Sequence, residues 1–206
     1  MVGLNDWLAV GRSESLEDIR EWILTGYLNG KPFTPYVPTL TLPDRIERVV
    51  DVGCGLGRNF PYLKGIATRI VGFDLPPMID RCKTVVDDQA ISLTSNWREV
   101  SADRYDLVFS TLVLQHVEPA ACRAYLADFA TIAPATYLLT RIRSDFGENI
   151  LDLVRHSGAF DAGRCIEVEH DPETNQLRVL RERSLEELSQ STEDGHVEVL
   201  LRSKDA

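Results

Sequence analysis

The sequence lacks the features that would place its 206 residues in a membrane or a disulfide framework. No uninterrupted apolar run approaches the roughly 18 residues of a membrane-spanning helix, and the N-terminus lacks the basic and apolar regions of a secretory signal. The four cysteines are far apart and form no C-x-x-C pair. These absences predict a reduced, cytoplasmic protein with no membrane association and no zinc or other metal site.

Basic side chains are also few, with 22 Lys and Arg against 32 Asp and Glu and a formal net charge of −10. This balance argues against nucleic acid as a partner, because non-specific binding neutralises phosphates with Lys and Arg. A local basic patch remains compatible with this overall charge. Hydrophobic residues make up 44% of the chain, which is typical of a folded protein.

The first 44 residues differ in pattern from the rest. Ser15 to Asp18 resembles a helix start, and Trp22 and Tyr27 lie on one apolar face of the helix that follows. The next segment, KPFTPYVPTLTLP, has four prolines and favours an extended connection. We therefore predict that residues 1–44 form a helix and a covering strap rather than an independent domain, and that residues 45–206 form the main domain.

From Arg48 onward, short apolar segments alternate with helical patterns. RVVDV, RIVGFD, ISLTS, YDLVFSTLVL and TYLLTRI are strand-like, and helical segments lie between them. This alternation predicts an α/β fold with a mostly parallel sheet covered by helices on both faces. RCIEVEHD, QLRVLRER and HVEVLLRS follow with a tight turn and little helix, which predicts an antiparallel edge.

A glycine-rich loop, DVGCGLGRN, follows the first strand and contains Gly53, Gly55 and Gly57. Glycines at every second position let the backbone turn sharply and approach a ligand closely. Asp74 ends the second strand, at about the twenty-residue offset where an acid binds ribose hydroxyls. The combination predicts a site for a nucleotide-type cofactor.

Asp51, directly before this loop, indicates the charge of that cofactor. The pyrophosphate of a dinucleotide would lie against like charge, at a cost on the order of 1–4 kcal/mol at 4 Å. The ammonium and sulfonium of S-adenosylmethionine would be attracted instead. The sequence therefore favours a cationic ligand.

The runs VVDVGCGLGRN, VGFD and YDLVFSTLVLQHVEP resemble the class I S-adenosylmethionine-dependent methyltransferase superfamily. The resemblance extends from about Arg48 to the last strand. It implies a doubly wound, mostly parallel, seven-stranded Rossmann-like sheet, here with an N-terminal helical cover. It also implies S-adenosylmethionine as cofactor, and we expect a small-molecule methyl acceptor and a monomer or homodimer.

The resemblance also implies roles for individual residues. Asp51 and the backbone of Gly53 and Gly55 would hold the methionine portion, with Gly57 in the same loop. Asp74 would bind the ribose. The remaining cofactor positions are Leu75 and Met78 flanking the adenine, Asn96 and Trp97 near its edge, Ser110 by the methionine end, and Gln115 near the methyl group. Asn96 and Trp97 depart from the acid and small residue that are frequent at this point in the family.

His116 is the candidate general base, because imidazole accepts a proton near neutral pH. A histidine that caps or packs the loop before Pro119 is the alternative interpretation. Trp22, Tyr27 and Tyr36 are candidates for an aromatic substrate surface, or they cover a sheet face. Arg141 is a candidate partner of an acidic substrate, or a surface arginine.

Two other functions share part of this pattern. A nicotinamide-dependent oxidoreductase would have the same strand, glycine loop and ribose acid, but Asp51 and the lack of a Tyr-x-x-x-Lys pair argue against it. A non-catalytic binding subunit of the same fold would be expected to lose cofactor-binding groups, and these are present. We therefore expect methyl transfer to an oxygen or nitrogen of a small molecule.

Overall fold

The computed structural model describes residues 4–12, 34–171 and 176–204. The helix predicted to begin at Ser15, with the candidate substrate residues Trp22 and Tyr27, lies outside this part of the chain.

One sheet of eight strands organises the described residues, in the order β3-β2-β1-β4-β5-β8-β6-β7. The strands are β1 Arg48–Val52, β2 Arg69–Phe73, β3 Ile91–Thr94, β4 Leu107–Thr111, β5 Ala135–Arg141, β6 Phe160–His170, β7 Leu177–Arg183 and β8 His196–Ser203. β1 to β5 pair in parallel, whereas β8 pairs antiparallel with β5 and with β6. The doubly wound α/β fold and its antiparallel edge are confirmed. The count of seven strands is wrong, because β7 pairs with β6 as an additional edge strand.

Helices connect the strands on both faces of the sheet. They are α1 Leu4–Gly11, α2 Phe60–Lys64, α3 Pro76–Val85, α4 Trp97–Ser101, α5 Pro119–Ile132, α6 Ile150–Ser157 and α7 Leu185–Ser189, with a short 3-10 turn at Leu114–His116. Pro61 lies in the first turn of α2, where its missing N–H breaks no intrahelical bond. Pro76 and Pro119 begin α3 and α5 in the same way.

The apolar core has two layers because the central strands are buried on both faces. All five residues of β4 are buried, which explains the nearly continuous apolar run in that segment. Val50 and Val108 pack in one layer with residues of α5 and α6, whereas Val49 and Phe109 pack in the other with residues of α2 and α3. The two layers hold the carboxyl ends of β1, β2 and β4 rigidly beside one another.

The described part of the proline-rich segment packs on the second layer. Tyr36 and Leu40 are buried there. The backbone N–H of Thr39 donates to the carboxylate of Glu198 on β8, with an N···O distance of 2.9 Å. The division of the chain near residue 44 stays a prediction. No helix in the described ranges is both long and apolar enough to cross a membrane.

Candidate functional site

The glycine-rich loop leaves β1 in a conformation that only glycine adopts easily. Gly53, Gly55 and Gly57 have φ values of 79°, 56° and 82°, which lie in the left-handed region. A Cβ on Gly53 would lie 2.1 Å from a methyl carbon of Val113. The backbone N–H groups of Gly53 and Cys54 both donate to the carbonyl oxygen of Phe73 at the end of β2. The loop is therefore fixed between β2 and the segment after β4.

Asp51 is a fully buried carboxylate beside this loop, and its side chain is 0% exposed. Among the described residues, neither carboxylate oxygen has a hydrogen-bond partner. Burial raises the pKa of Asp51 to about 8, and the neighbouring charge of Asp74 also raises it. The side-chain amide of Asn59, which is near but outside hydrogen-bonding geometry, lowers the pKa in part. Buried polar groups in folded proteins are normally hydrogen-bonded, so a carboxylate without a partner indicates a place for a ligand cation.

Asp74 follows β2 and lies across the loop from Asp51. Its carboxylate accepts hydrogen bonds from the backbone N–H groups of Gly55 and Leu75, both at 2.7 Å. Burial raises its pKa to about 6, against the lowering effect of these two bonds. A carboxylate has about four acceptor positions, so two remain for hydroxyl groups of a ligand. Leu75 and the buried Met78, at the start of α3, adjoin this position.

The end of β4 packs directly on the glycine loop. The hydroxyl of Ser110 donates to the carbonyl oxygen of Val52 at 3.1 Å, and Val113 contacts Gly53. Leu112, between them, has a φ of 58°, the one positive value for a non-glycine in the described ranges. Such strained backbone is concentrated at functional sites, where the surrounding structure enforces it.

His116 follows this strained segment and forms a pair that the sequence did not predict. Its Nδ1 lies 2.7 Å from Oδ2 of Asp145, in the loop after β5. The neighbouring Gln115 is buried, and its Oε1 accepts from the backbone N–H of Arg141 at 3.0 Å. The backbone carbonyl of Gln115 accepts from the N–H of Asp145 at 2.8 Å. These bonds tie the loops after β4 and β5 together around the imidazole.

Helix α1 contacts both the start of α3 and His116. Its last residue, Gly11, lies against Pro77 and Met78 at the start of α3. One turn earlier in the helix, the ring of Trp7 lies 5.3 Å from that of His116. The sequence patterns did not predict this helix.

Asn96 and Trp97 use their side chains within the chain. Asn96 caps α4 by accepting from the N–H of Arg98 at 3.2 Å, and its amide donates to Glu99 at 3.0 Å. The indole N–H of Trp97 donates to Asp128 at 2.6 Å. The Trp97 ring packs on Phe73, the residue before Asp74, so it is connected to the Asp74 position through packing.

Arg141 and Tyr36, the two substrate candidates within the described residues, also contact other side chains of the protein. Arg141 forms an ion pair with Asp194, and the role of an acid-binding residue would require it to exchange this partner. Tyr36 is 2% exposed, and the guanidinium of Arg58 lies 4.6 Å from its ring centre. This burial favours the covering role for Tyr36 over that of an open substrate surface.

Sequence reasoning missed three polar residues at this site. Arg58 and Asn59 directly follow the glycine loop, are 5% and 3% exposed, and their position next to Gly57 was an available signal. Asn59 donates to the hydroxyl of Thr111 at 3.0 Å, which links α2 to the end of β4. Asp145 is 29 residues from His116, and no local pattern signals a contact at that separation.

Comparisons with known proteins agree with this fold. A methyltransferase domain family matches residues 27–192. The structure is similar to the N-methyltransferase NodS of Bradyrhizobium japonicum, solved with S-adenosyl-L-homocysteine. That match has a TM-score of 0.52 and 13% identity, and covers 78% of this chain and 79% of the other. It is also similar to a TehB-like methyltransferase of Corynebacterium glutamicum, with a TM-score of 0.52, 16% identity, and coverage of 97% and 94%. These identities show a shared fold alone.

No curated protein matches the sequence closely enough to add a relative. The family match extends over most of the chain and includes the glycine loop, both acidic residues and the His116 pair. The chain belongs to the methyltransferase domain family.

Proposed function

We propose that this protein transfers a methyl group from S-adenosylmethionine to an oxygen or nitrogen atom of a small molecule. The observation that carries the proposal is Asp51, a fully buried carboxylate without a hydrogen-bond partner among the described residues, beside the glycine loop. Bound S-adenosylmethionine supplies a methyl group on a positively charged sulfur atom. Its ammonium group provides a positively charged partner for the Asp51 carboxylate.

The other residues around the loop suit the remaining parts of this molecule. The free acceptor positions of Asp74 suit the ribose hydroxyls. Leu75 and Met78 provide an apolar surface for the adenine, and Trp97 supports it through Phe73. Gly53, Gly55, Gly57 and Ser110 shape the wall by the methionine portion, and the Arg58 guanidinium, buried directly after the loop, suits its carboxylate.

His116 is the residue that we propose to accept a proton from the methyl acceptor. Displacement at a methyl group depends chiefly on alignment of the two reacting atoms, which contributes roughly 7–11 kcal/mol. A base adds to this only when the acceptor must lose a proton. His116 ends the 3-10 turn after β4, directly beyond the segment that contacts the glycine loop, and its side chain is 18% exposed.

Two alternatives remain as outcomes of the test. A nicotinamide-dependent oxidoreductase would require a pyrophosphate near Asp51, which the burial of this carboxylate disfavours. A non-catalytic subunit would bind the cofactor without turnover. Asp51, Asp74 and the His116 pair are all present in this chain, and they support the enzyme.

Calorimetric titration of the purified protein with S-adenosylmethionine, S-adenosylhomocysteine and NAD distinguishes these functions. We expect micromolar binding of the first two and no heat from NAD. Binding of NAD without a response to either sulfur compound would overturn the proposal. Binding without formation of S-adenosylhomocysteine across phenol, carboxylate and amine acceptors would indicate the non-catalytic subunit.

A further inference from the structure

The contact between His116 and Asp145 carries an inference that rests on the proposed function. The Nδ1 atom of His116 and Oδ2 of Asp145 are 2.7 Å apart, and the side chains are 18% and 12% exposed. A carboxylate only accepts hydrogen bonds, so the neutral imidazole must carry its proton on Nδ1 to make this contact. The lone pair is then on Nε2.

Gln115 enforces the same tautomer from the opposite side of the ring. Its Oε1 accepts from the backbone N–H of Arg141 at 3.0 Å and from the Thr140 hydroxyl at 3.2 Å. Because that oxygen is fixed by a backbone donor, the amide nitrogen faces Nε2 of His116, at 3.4 Å. An N–H group on Nε2 would oppose this NH₂ group, whereas a lone pair suits it. Both neighbours therefore favour an Nε2 without a proton, and the long contact with the Gln115 amide must give way when the hydroxyl of the methyl acceptor approaches Nε2.

We infer that Asp145 is a positioning residue that holds His116 with Nε2 ready to accept a proton, and that the methyl acceptor is a phenolic hydroxyl. A carboxylate or a neutral amine attacks without first losing a proton and does not need this pair. A phenol has a pKa near 10, roughly 3.5 units above that of a free imidazole. A base held in position against the hydroxyl can accept its proton despite this difference. Aliphatic alcohols are far weaker acids than phenols and resemble water, whose pKa is about 15.7.

The proposed step accounts for each proton and electron pair. The phenolic O–H bond breaks and its proton moves to Nε2 of His116. The oxygen lone pair forms the new O–CH₃ bond, while the S–CH₃ bond breaks and its electron pair stays on sulfur as a neutral thioether. Asp145 stabilises the imidazolium through the contact at Nδ1. The imidazolium then releases its proton to solvent.

Helix α6 offers a matched control for this pair. Nδ1 of His156 lies 3.0 Å from Oδ1 of Asp152, and these side chains are 65% and 42% exposed. Both pairs place a carboxylate oxygen against Nδ1, although Nδ1 of His156 also lies 3.0 Å from the backbone carbonyl oxygen of Asp152, and the second pair lies on α6. Asp145→Asn and Asp152→Asn therefore remove the same charge from a His–Asp contact inside and outside the proposed site.

Nitrogen NMR of ¹⁵N-histidine-labelled protein, saturated with S-adenosylhomocysteine, tests the tautomer directly. The chain has 4 histidines, and a His116→Ala sample assigns the signal. We expect a proton on Nδ1 in the wild type, a changed or mixed tautomer in Asp145→Asn, and no change of the His116 signal in Asp152→Asn. A proton on Nε2 in the wild type, or no response to Asp145→Asn, would overturn the role of Asp145. If Asp145→Asn does not fold, Asp145→Ser gives the same test.

Initial rates with phenol, 4-chlorophenol, 4-cyanophenol and 4-nitrophenol test the acceptor class. For phenol we expect Asp145→Asn to lower kcat about 100-fold with little change of KM, in the range of general-base effects. For 4-nitrophenol, which ionises by itself near neutral pH, we expect a loss of less than about 3-fold. Asp152→Asn should match the wild type throughout.

The outcomes separate this inference from the proposed function. An equal loss of kcat for all four phenols would mean that Asp145 is merely structural. No turnover of any phenol by protein that binds S-adenosylmethionine would overturn the phenolic acceptor and leave the cofactor assignment standing. If the wild-type protein does not bind S-adenosylmethionine, the proposed function itself is overturned.

Discussion

Two buried carboxylates in this protein have opposite surroundings. Glu198 on β8 and Asp51 on β1 are both 0% exposed. Glu198 accepts from the hydroxyl of Tyr137 at 2.6 Å and from the N–H of Thr39 at 2.9 Å, and also from the Thr39 hydroxyl. Asp51 has no such partner among the described residues.

The difference separates a carboxylate that connects parts of the fold from one that we propose to bind a ligand cation. The donors around Glu198 connect the proline-rich segment to the sheet and compensate for the lost hydration of the charge. Around Asp51 only the neighbouring Asn59 amide favours the charged form among the causes of its pKa, and its effect is smaller than that of burial, so the folded protein keeps this group protonated up to about pH 8 unless a cation binds. Each carboxylate should therefore affect one property, either stability or cofactor affinity, when its charge is removed.

Exchanging the two charges for amides tests the comparison most strongly. Asp51→Asn should weaken S-adenosylmethionine binding about 100-fold, since the loss of a charged hydrogen-bond partner costs on the order of 2–3 kcal/mol, with little loss of stability. Glu198→Gln should lower the free energy of unfolding by about 2 kcal/mol and leave the affinity within about 3-fold. Urea denaturation and calorimetry provide the two measurements.

A reversed pattern would contradict the account. If Asp51→Asn unfolded the protein while Glu198→Gln abolished binding, the assignment of the two carboxylates would be wrong. The double variant should show both losses independently, because the residues share no hydrogen-bond partner.

Two glycines with left-handed backbone provide a second comparison, one inside and one outside the glycine-rich loop. Gly53 and Gly147 have similar φ values, 79° and 83°, but a Cβ meets Val113 at Gly53 and nothing within 4 Å at Gly147. Gly147→Ala should cost about 1 kcal/mol of unfolding free energy for the left-handed backbone. Gly53→Ala should cost about 3 kcal/mol, because the collision adds to that penalty, and it should weaken cofactor binding. Equal losses would show that Val113 does not constrain the loop around Asp51.

The pH dependence of stability should sharpen the comparison further. Folded Asp51 holds its proton up to about pH 8, whereas the unfolded chain loses it near 3.8. The folded state therefore binds more protons in this window, and stability falls as pH rises from 4 to 8, by at most about 1.4 kcal/mol per pH unit for this group. Asp51→Asn should flatten that fall in urea denaturation at pH 5, 6, 7 and 8. A difference between wild type and variant that does not vary with pH would contradict the raised pKa.

Most of the sheet was predictable because buried parallel strands have a distinctive pattern. The uninterrupted apolar residues of β4 and the glycines after β1 report local constraints, and both lie where the sequence indicated. The additional edge strand β7 departs from the prediction only in the strand count, because its segment, QLRVLRER, has a strand-like sequence.

The parts that the sequence did not predict depend on distant contacts. The Glu198 anchor joins residues 159 apart, and the His116 pair joins residues 29 apart. Helix α1 is only eight residues long and depends on packing against α3, so its local pattern was too short to indicate a helix. The Asn96 side chain caps α4, and its role near the adenine edge stays a prediction.

Proton release on cofactor binding tests the central claim, that Asp51 takes a ligand cation. Calorimetry of S-adenosylmethionine binding at pH 7, in buffers of different ionisation enthalpy, measures the number of protons released. The pKa of about 8 predicts release of nearly one proton by the wild type, and Asp51→Asn should bind weakly and release none. Tight binding by both proteins with no proton release would contradict the account.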